Sequence, residues 1–227
     1  MCGVFGVVLP DAEPTEAAPE DAPSEPAGST VPAPRGPAPD AIWWDVGYRY
    51  AGIYSTARLT SLLNDLERRR GPERLRRRST APFIVGGYAR FWDSWGEVRH
   101  GDSGLRPHLG QDVFCDYGAP VMAGEEGTLE YSQDPSGGLV ARVHRGDGSY
   151  WYYAHLSRFE PARTSGEKVE PGEVIGYCGT SGNAAGTPPH VHFAFFVDHV
   201  AQNPMGALIG WLHEAEANAV RLLRRLG

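Results

Sequence analysis

Between about Pro82 and Pro204, short runs of apolar and polar residues alternate and are broken by Gly- and Pro-rich turns: "APVMAGEEGTLEYS", "GLVARVHRGDGSYWYYAHLS", "GEKVEPGEVIGYCGTSGN" and "HVHFAFFVD". A period of two within segments this short predicts strands, and "HRGDGSY" reads as a hairpin turn between two of them. Many short strands with frequent turns predict a mainly β, antiparallel domain. On both sides the period lengthens. In "TARLTSLLNDLERRR", Leu59, Leu62, Leu63 and Leu66 recur at helical spacing, with Gly71 and Pro72 as the stop. In "ALIGWLHEAEANAVRLLRRL", Leu208, Leu212, Ala215, Ala219 and Leu222 line one helix face, and the arginines near the end suit the helix dipole.

Further upstream the pattern disappears. Pro10 to Asp40 is almost entirely Pro, Ala, Glu and other small or polar residues, with too few large apolar side chains to offset the entropy of ordering, so it predicts an extended, disordered linker. The chain therefore divides into a short N-terminal segment (1–9), the linker (10–40), an aromatic segment with a helix (41–79), the β domain (80–205) and a C-terminal amphipathic helix (206–227). The basic run from Arg68 to Arg78 could touch an anionic surface but reads as a solvated helix face.

Composition narrows the function classes. The formal net charge of −7 gives no reason to expect nucleic acid as a partner. The apolar run "VFGVVL" is far too short to span a bilayer, so no transmembrane segment is expected. It also has neither a basic flank nor a small-residue cleavage site, so no complete signal peptide and no export route is visible. Three cysteines, Cys2, Cys115 and Cys178, make no metal motif or disulfide framework. Cys115 and Cys178 are expected as buried free thiols, although an oxidising compartment would allow one bridge.

Candidate chemistry sits in two places. In "PPHVHF", His190 and His192 are two residues apart and share one face of a strand, roughly 6–7 Å apart. In "LRPHLGQDVF", His108 and Asp112 are four apart, and Pro107 and Gly110 argue against a helix that would bring them together. A turn at Gly110 would do so, since glycine alone makes such a turn without steric cost. Two imidazoles and a carboxylate suit a catalytic zinc, which takes three protein ligands and leaves a fourth position for water. The same residues would also serve as an ordinary polar turn and a pair of half-buried histidines. His155, in "YWYYAHLS", is a further candidate for proton transfer. Alternation puts it on one strand face with Trp151 and Tyr153, at a strand end well placed to border a cleft.

The ordered set "HLGQD", "AHLS" and "PPHVHF" resembles the lysostaphin-type zinc endopeptidases, also called LytM-domain peptidoglycan hydrolases. The likeness runs from about "FWDSWG" to "HVHFAFF", somewhat more than half the chain. It implies a β-rich domain holding one zinc ion (Zn2+), with His108, Asp112 and His192 as metal ligands and His155 and His190 as the catalytic histidines that assist the attacking water. It also implies peptidoglycan peptides as substrate and a cell-envelope or extracellular location. Cys115 and Cys178 depart from the family, standing where small or apolar residues are expected. The remaining histidines, His100, His144, His199 and His213, are expected at the surface; "HEAEA" is not a zinc motif, since Ala217 stands where the second histidine would be.

Two rival readings belong to other classes. One is a non-catalytic module that binds wall peptides or a partner enzyme, against which all five functional positions are filled. The other rests on "MCGVFGVV", which resembles the start of amidotransferases with an N-terminal cysteine nucleophile; that fold needs a whole domain where the linker begins. A lipid-bearing Cys2 and an ordinary N-terminus are the other readings of this stretch.

Overall fold

The structure, a computed structural model, describes residues 52–70, 83–101 and 104–226. The expectations for the N-terminal segment, the linker, the aromatic residues up to Ala51, the stop at Gly71 and Pro72 and most of the basic run lie outside the described residues.

Among the described residues the strands form three antiparallel sheets. The largest runs in the order β1 (Tyr54–Ser55), β2 (Ala89–Phe91), β5 (Gln111–Cys115), β13 (His190–Val197), β9 (Tyr150–Leu156), β8 (Gly138–His144), β7 (Gly127–Asp134) and β11 (Lys168–Val169), and β14 (Val200–Gln202) also pairs with β13. A second sheet has the order β10 (Arg158–Phe159), β12 (Val174–Tyr177), β6 (Pro120–Met122). The third is the hairpin of β3 (Val98–Gly101) and β4 (Gly104–Pro107). The mainly β, antiparallel fold is as the alternation predicted, and the hairpin at "HRGDGSY" joins β8 to β9.

The period-two pattern divides the large sheet into two faces. On β13, Val191, Phe193 and Phe195 point into the core; on β9, Trp151 and Tyr153 do the same. The Trp151 ring stacks on Phe193 at 5.2 Å and meets Trp211 edge-on at 5.0 Å. Trp211 belongs to α2 (Met205–Arg224), which covers this face with Leu208, Leu212, Ala215 and Ala219 buried and Leu222 packed at the margin. Helix α1 (Ala57–Arg70) buries Leu59 and Leu66 in the same core. The opposite face of the sheet carries polar residues among aromatic ones such as Phe114, Tyr152 and Phe196, and the candidate site lies there.

One expectation is corrected by the covalent structure. Cys115 and Cys178 are joined by a disulfide, with Cα atoms 6.4 Å apart across a sequence separation of 63. Cys115 ends β5, and Cys178 follows β12, where it exchanges backbone hydrogen bonds with the Gly118–Ala119 turn. The proximity is made by strand pairing between distant segments, which spacing along the chain does not encode.

Candidate metal centre

The site is assembled on β5 and β13, which pair so that His192 lies opposite Asp112. Alternation sends Val191 and Val113 to the core and His190, His192 and Asp112 to the open face. His108 follows β4, and two backbone bonds fix it: His108 N–H donates to Glu97 O at 2.8 Å, and Gly96 N–H donates to His108 O at 2.8 Å. Gly110 joins it to β5 at a bend, as expected, and does so without a positive φ. Glycine is needed there because a Cβ would stand 2.6 Å from His192 Cε1, 2.7 Å from its Nε2 and 2.8 Å from Phe193 O.

Three ligand-type atoms converge: His108 Nε2, Asp112 Oδ1 and His192 Nδ1 all lie within 4.8 Å of one another. The two nitrogens are 2.8 Å apart, and Asp112 Oδ1 is 3.1 Å from His108 Nε2 and 3.3 Å from His192 Nδ1. His108 Nδ1–H donates to Ser94 O at 3.0 Å, so Nε2 presents its lone pair to the cluster. Lone pairs aimed at one another at this range repel unless a proton or a metal cation sits between them. Burial pushes the Asp112 carboxyl up, but hydrogen bonds and charge from His108 and His192 outweigh it and hold the group well below the usual carboxylate range. Burial is the main influence pushing His192 down, and the nearby His108 and His190 act in the same direction, against the hydrogen bond and charge of Asp112.

Two more imidazoles border the cluster. The His155 and His190 rings are 4.9 Å apart, and His155 is 6.0 Å from the His192 ring. Both are oriented by the backbone: His155 Nδ1–H donates to Ser181 O at 2.9 Å, and His190 Nδ1–H donates to Pro188 O at 2.9 Å. In each, a carbonyl that can only accept fixes the proton on Nδ1 and leaves Nε2 as the working nitrogen. Burial, then the nearby His190 and His192, push the His155 pKa down to about 4.

The route by which His155 arrives differs from expectation. Trp151 and Tyr153 point into the core, whereas the His155 ring faces the site histidines on the other side. Pairing shifts between β8 and β9: Ala141 is opposite Tyr153 but Leu139 is opposite Leu156, so β9 carries one extra residue. His155 takes up the irregularity with φ 62°, a left-handed conformation rare outside glycine. This bulge turns a residue that simple alternation would bury toward the open face.

All five expected site residues thus come together on one face. The other four described histidines do not join them: His100, His199 and His213 are exposed, and His144 pairs with Glu130 at 2.6 Å on a distant part of the sheet. Several contributors had no signal in the sequence. Arg99 Nη2 donates to Asp112 Oδ2 at 3.0 Å. Ser94, Ser181 and Pro188 act through backbone carbonyls, which any residue type could supply. Gln111 is fully buried behind the ligand strand, accepting from Ser94 N–H and donating to Asp93 and Asn203. A glutamine at a core-facing strand position was the one readable hint of that network.

An antiparallel sheet with a His–Asp–His cluster on its open face defines a lysostaphin/LytM-type domain, and a solved structure described as a putative glycyl-glycine endopeptidase lytM from Ruminococcus gnavus shares the fold. Its TM-score is 0.50 at 22% identity, over 60% of this chain and 62% of that one. Residues 106–204 match the model for Peptidase family M23, and the chain belongs to that family through this domain. The L-Ala–D-Glu endopeptidase of Bacillus subtilis is 37% identical over 112 residues, 47% of this chain and 34% of that protein. The catalytic domain of the antimicrobial peptidase lysostaphin from Staphylococcus simulans is 31% identical with a TM-score of 0.45, over 51% of this chain and 89% of that one. The chain covers about a third or less of the length of the curated relatives it matches.

Proposed function

We propose that the domain is a zinc-dependent endopeptidase that cuts peptide bonds in bacterial peptidoglycan. Its catalytic unit is the segment 80–205, working in the cell envelope or outside the cell. The observation that carries this reading is the convergence of His108 Nε2, Asp112 Oδ1 and His192 Nδ1 beside two imidazoles whose protons are fixed by backbone carbonyls.

The donor set fits zinc. Tetrahedral zinc with bonds of about 2.0–2.1 Å separates its ligand atoms by about 3.3–3.4 Å. The separations here, 2.8, 3.1 and 3.3 Å, reach that spacing with small side-chain rotations. His108, Asp112 and His192 would hold the ion, which when bound supplies a Lewis acid able to acidify water and polarise a carbonyl. The remaining steps fall to the protein. At neutral pH His155 is uncharged, so its Nε2 can accept a proton from the attacking water while Nδ1–H stays on Ser181 O. His190, held the same way by Pro188 O, presents Nε2 from the neighbouring strand; as the imidazolium, with a second proton on Nε2, it can donate to the developing oxyanion, while the proton His155 took from the water passes to the leaving nitrogen. The peptidoglycan substrate is supported by the names of relatives, among them the L-Ala–D-Glu endopeptidase of Bacillus subtilis and the peptidoglycan DD-endopeptidase ShyC of Vibrio cholerae. The disulfide supports an oxidising location.

The test is mass spectrometry of fragments released from purified peptidoglycan, with and without a zinc chelator. Chelator-sensitive release of peptide fragments is expected, and their masses name the bond. No release by folded, zinc-loaded protein from several wall types would leave the domain as a binding module.

A further inference from the structure

We propose that Arg99 is a positioning residue for the metal centre, fixing which oxygen of Asp112 faces the ion; the inference rests on the zinc reading above. Arg99 lies on β3, in the hairpin whose other strand, β4, leads into His108. Its Nη2 donates to Asp112 Oδ2 at 3.0 Å, while Asp112 Oδ1 faces His108 Nε2 and His192 Nδ1. The two oxygens therefore have separate tasks. Rotation about the terminal bond of aspartate is soft and nearly two-fold, so an unrestrained carboxylate could offer either oxygen, or both.

The arginine is held in this pose against its own preferences. Glu97 Oε2 grips Nη2 from another side at 3.1 Å. Arg99 Nε is buried and makes no hydrogen bond, although the side chain as a whole is 37% exposed. Nη2 also stands 3.4 Å from His108 Nδ1, itself a donor to Ser94 O, so this contact is repulsive. The favourable contacts set against these are the two carboxylates, Asp112 and Glu97, and of the two only Asp112 belongs to the centre. Arg99 also links the two-stranded sheet that delivers His108 to the large sheet that carries Asp112 and His192, making it the brace between the two sources of ligands.

Two effects on zinc oppose each other. The guanidinium charge weakens the pull of Asp112 on a cation, and its hydrogen bond holds the carboxylate in register. Partners that orient metal ligands typically contribute 10–100-fold in affinity, so the orienting effect should win. The experiment measures zinc affinity of the full chain by competition with a chromophoric chelator, for wild type, Arg99→Gln, Arg99→Met and Arg106→Gln. Arg106 is the exposed cross-strand partner of Arg99 and controls for loss of a positive charge on the same hairpin. Met keeps the packing of the arginine stem and carries the test if the Gln variant does not fold, which circular dichroism of the metal-free proteins decides. Both Arg99 variants should bind zinc roughly 10–100-fold more weakly, and Arg106→Gln should match wild type. With cobalt(II) in place of zinc, the visible bands of the Arg99 variants should weaken, as a freed carboxylate binds through both oxygens and raises the coordination number. Equal or tighter zinc binding with an unchanged cobalt spectrum, or an equal loss in Arg106→Gln, would overturn the inference while leaving the zinc reading intact. A wild-type chain that binds no zinc would overturn both.

Discussion

Replacing Gly110 by alanine adds one methyl group at the most crowded point of the centre. The added Cβ would lie 2.6 Å from His192 Cε1 and 2.8 Å from Phe193 O. Carbon atoms rest at about 3.5–4.0 Å, so roughly 1 Å must be found. The carbonyl cannot supply it, because Phe193 pairs with Gln111 and its ring is wedged between Trp151 and Trp211. The His192 ring must move instead, and it is the ring that brings Nδ1 to the cluster. Overpacking of this kind costs about 1–3 kcal/mol of stability. A displacement of about 1 Å in catalytic geometry costs on the order of 10²-fold in rate. Gly146→Ala is the control: nothing lies within 4 Å of its Cβ, and its φ is not positive. It should change stability by less than about 1 kcal/mol. Chelator competition, thermal melting with and without zinc, and fragment release from peptidoglycan read the three effects separately. If Gly110→Ala kept wild-type zinc affinity, melting and turnover, the steric account of this glycine would be refuted.

Other consequences follow from the same geometry. His155→Ala and His190→Ala should keep one bound zinc per chain by metal analysis and lose about 10²–10⁴-fold in hydrolysis; loss of zinc instead would move those residues into the ligand set. Reducing the Cys115–Cys178 bridge should lower unfolding free energy by up to about 4 kcal/mol, measured in denaturant titrations of oxidised and reduced protein, because the bridge closes a loop across a sequence separation of 63. Metal-free protein should lose stability as pH falls from 6.5 toward about 4, since the unfolded chain protonates His155 in that window and the folded chain does not. The loss is bounded at about 3 kcal/mol, and His155→Gln should flatten that part of the curve.

The elements with strong periodicity were readable from the chain. The leucines of α1 and α2 sit where helical spacing puts them, and the His190–His192 pair shares a face because strands alternate. The meeting of His108 with Asp112 at a turn was readable too, but the need for glycine in it was only half readable: the missing Cβ matters because of His192 and Phe193, and that shows only once β13 lies alongside. Alternation misplaced His155 because a bulge needs a partner strand to be defined. The disulfide and Arg99 depend on segments distant in sequence becoming neighbours in space. The carbonyls of Ser94, Ser181 and Pro188 carry no side-chain signature.

His192 enters the cluster through Nδ1, the nitrogen nearer its backbone, whereas His108 reaches it through Nε2. The two positions therefore offer side arms of different length, one atom apart. A replacement that preserves reach would be Asn or Asp at 192, whose δ atom stands where Nδ1 does, but Gln or Glu at 108, whose ε atom matches Nε2. Redesign of the centre for another metal has to respect that difference, since the same substitution made at both sites would fall short at one or overrun the other.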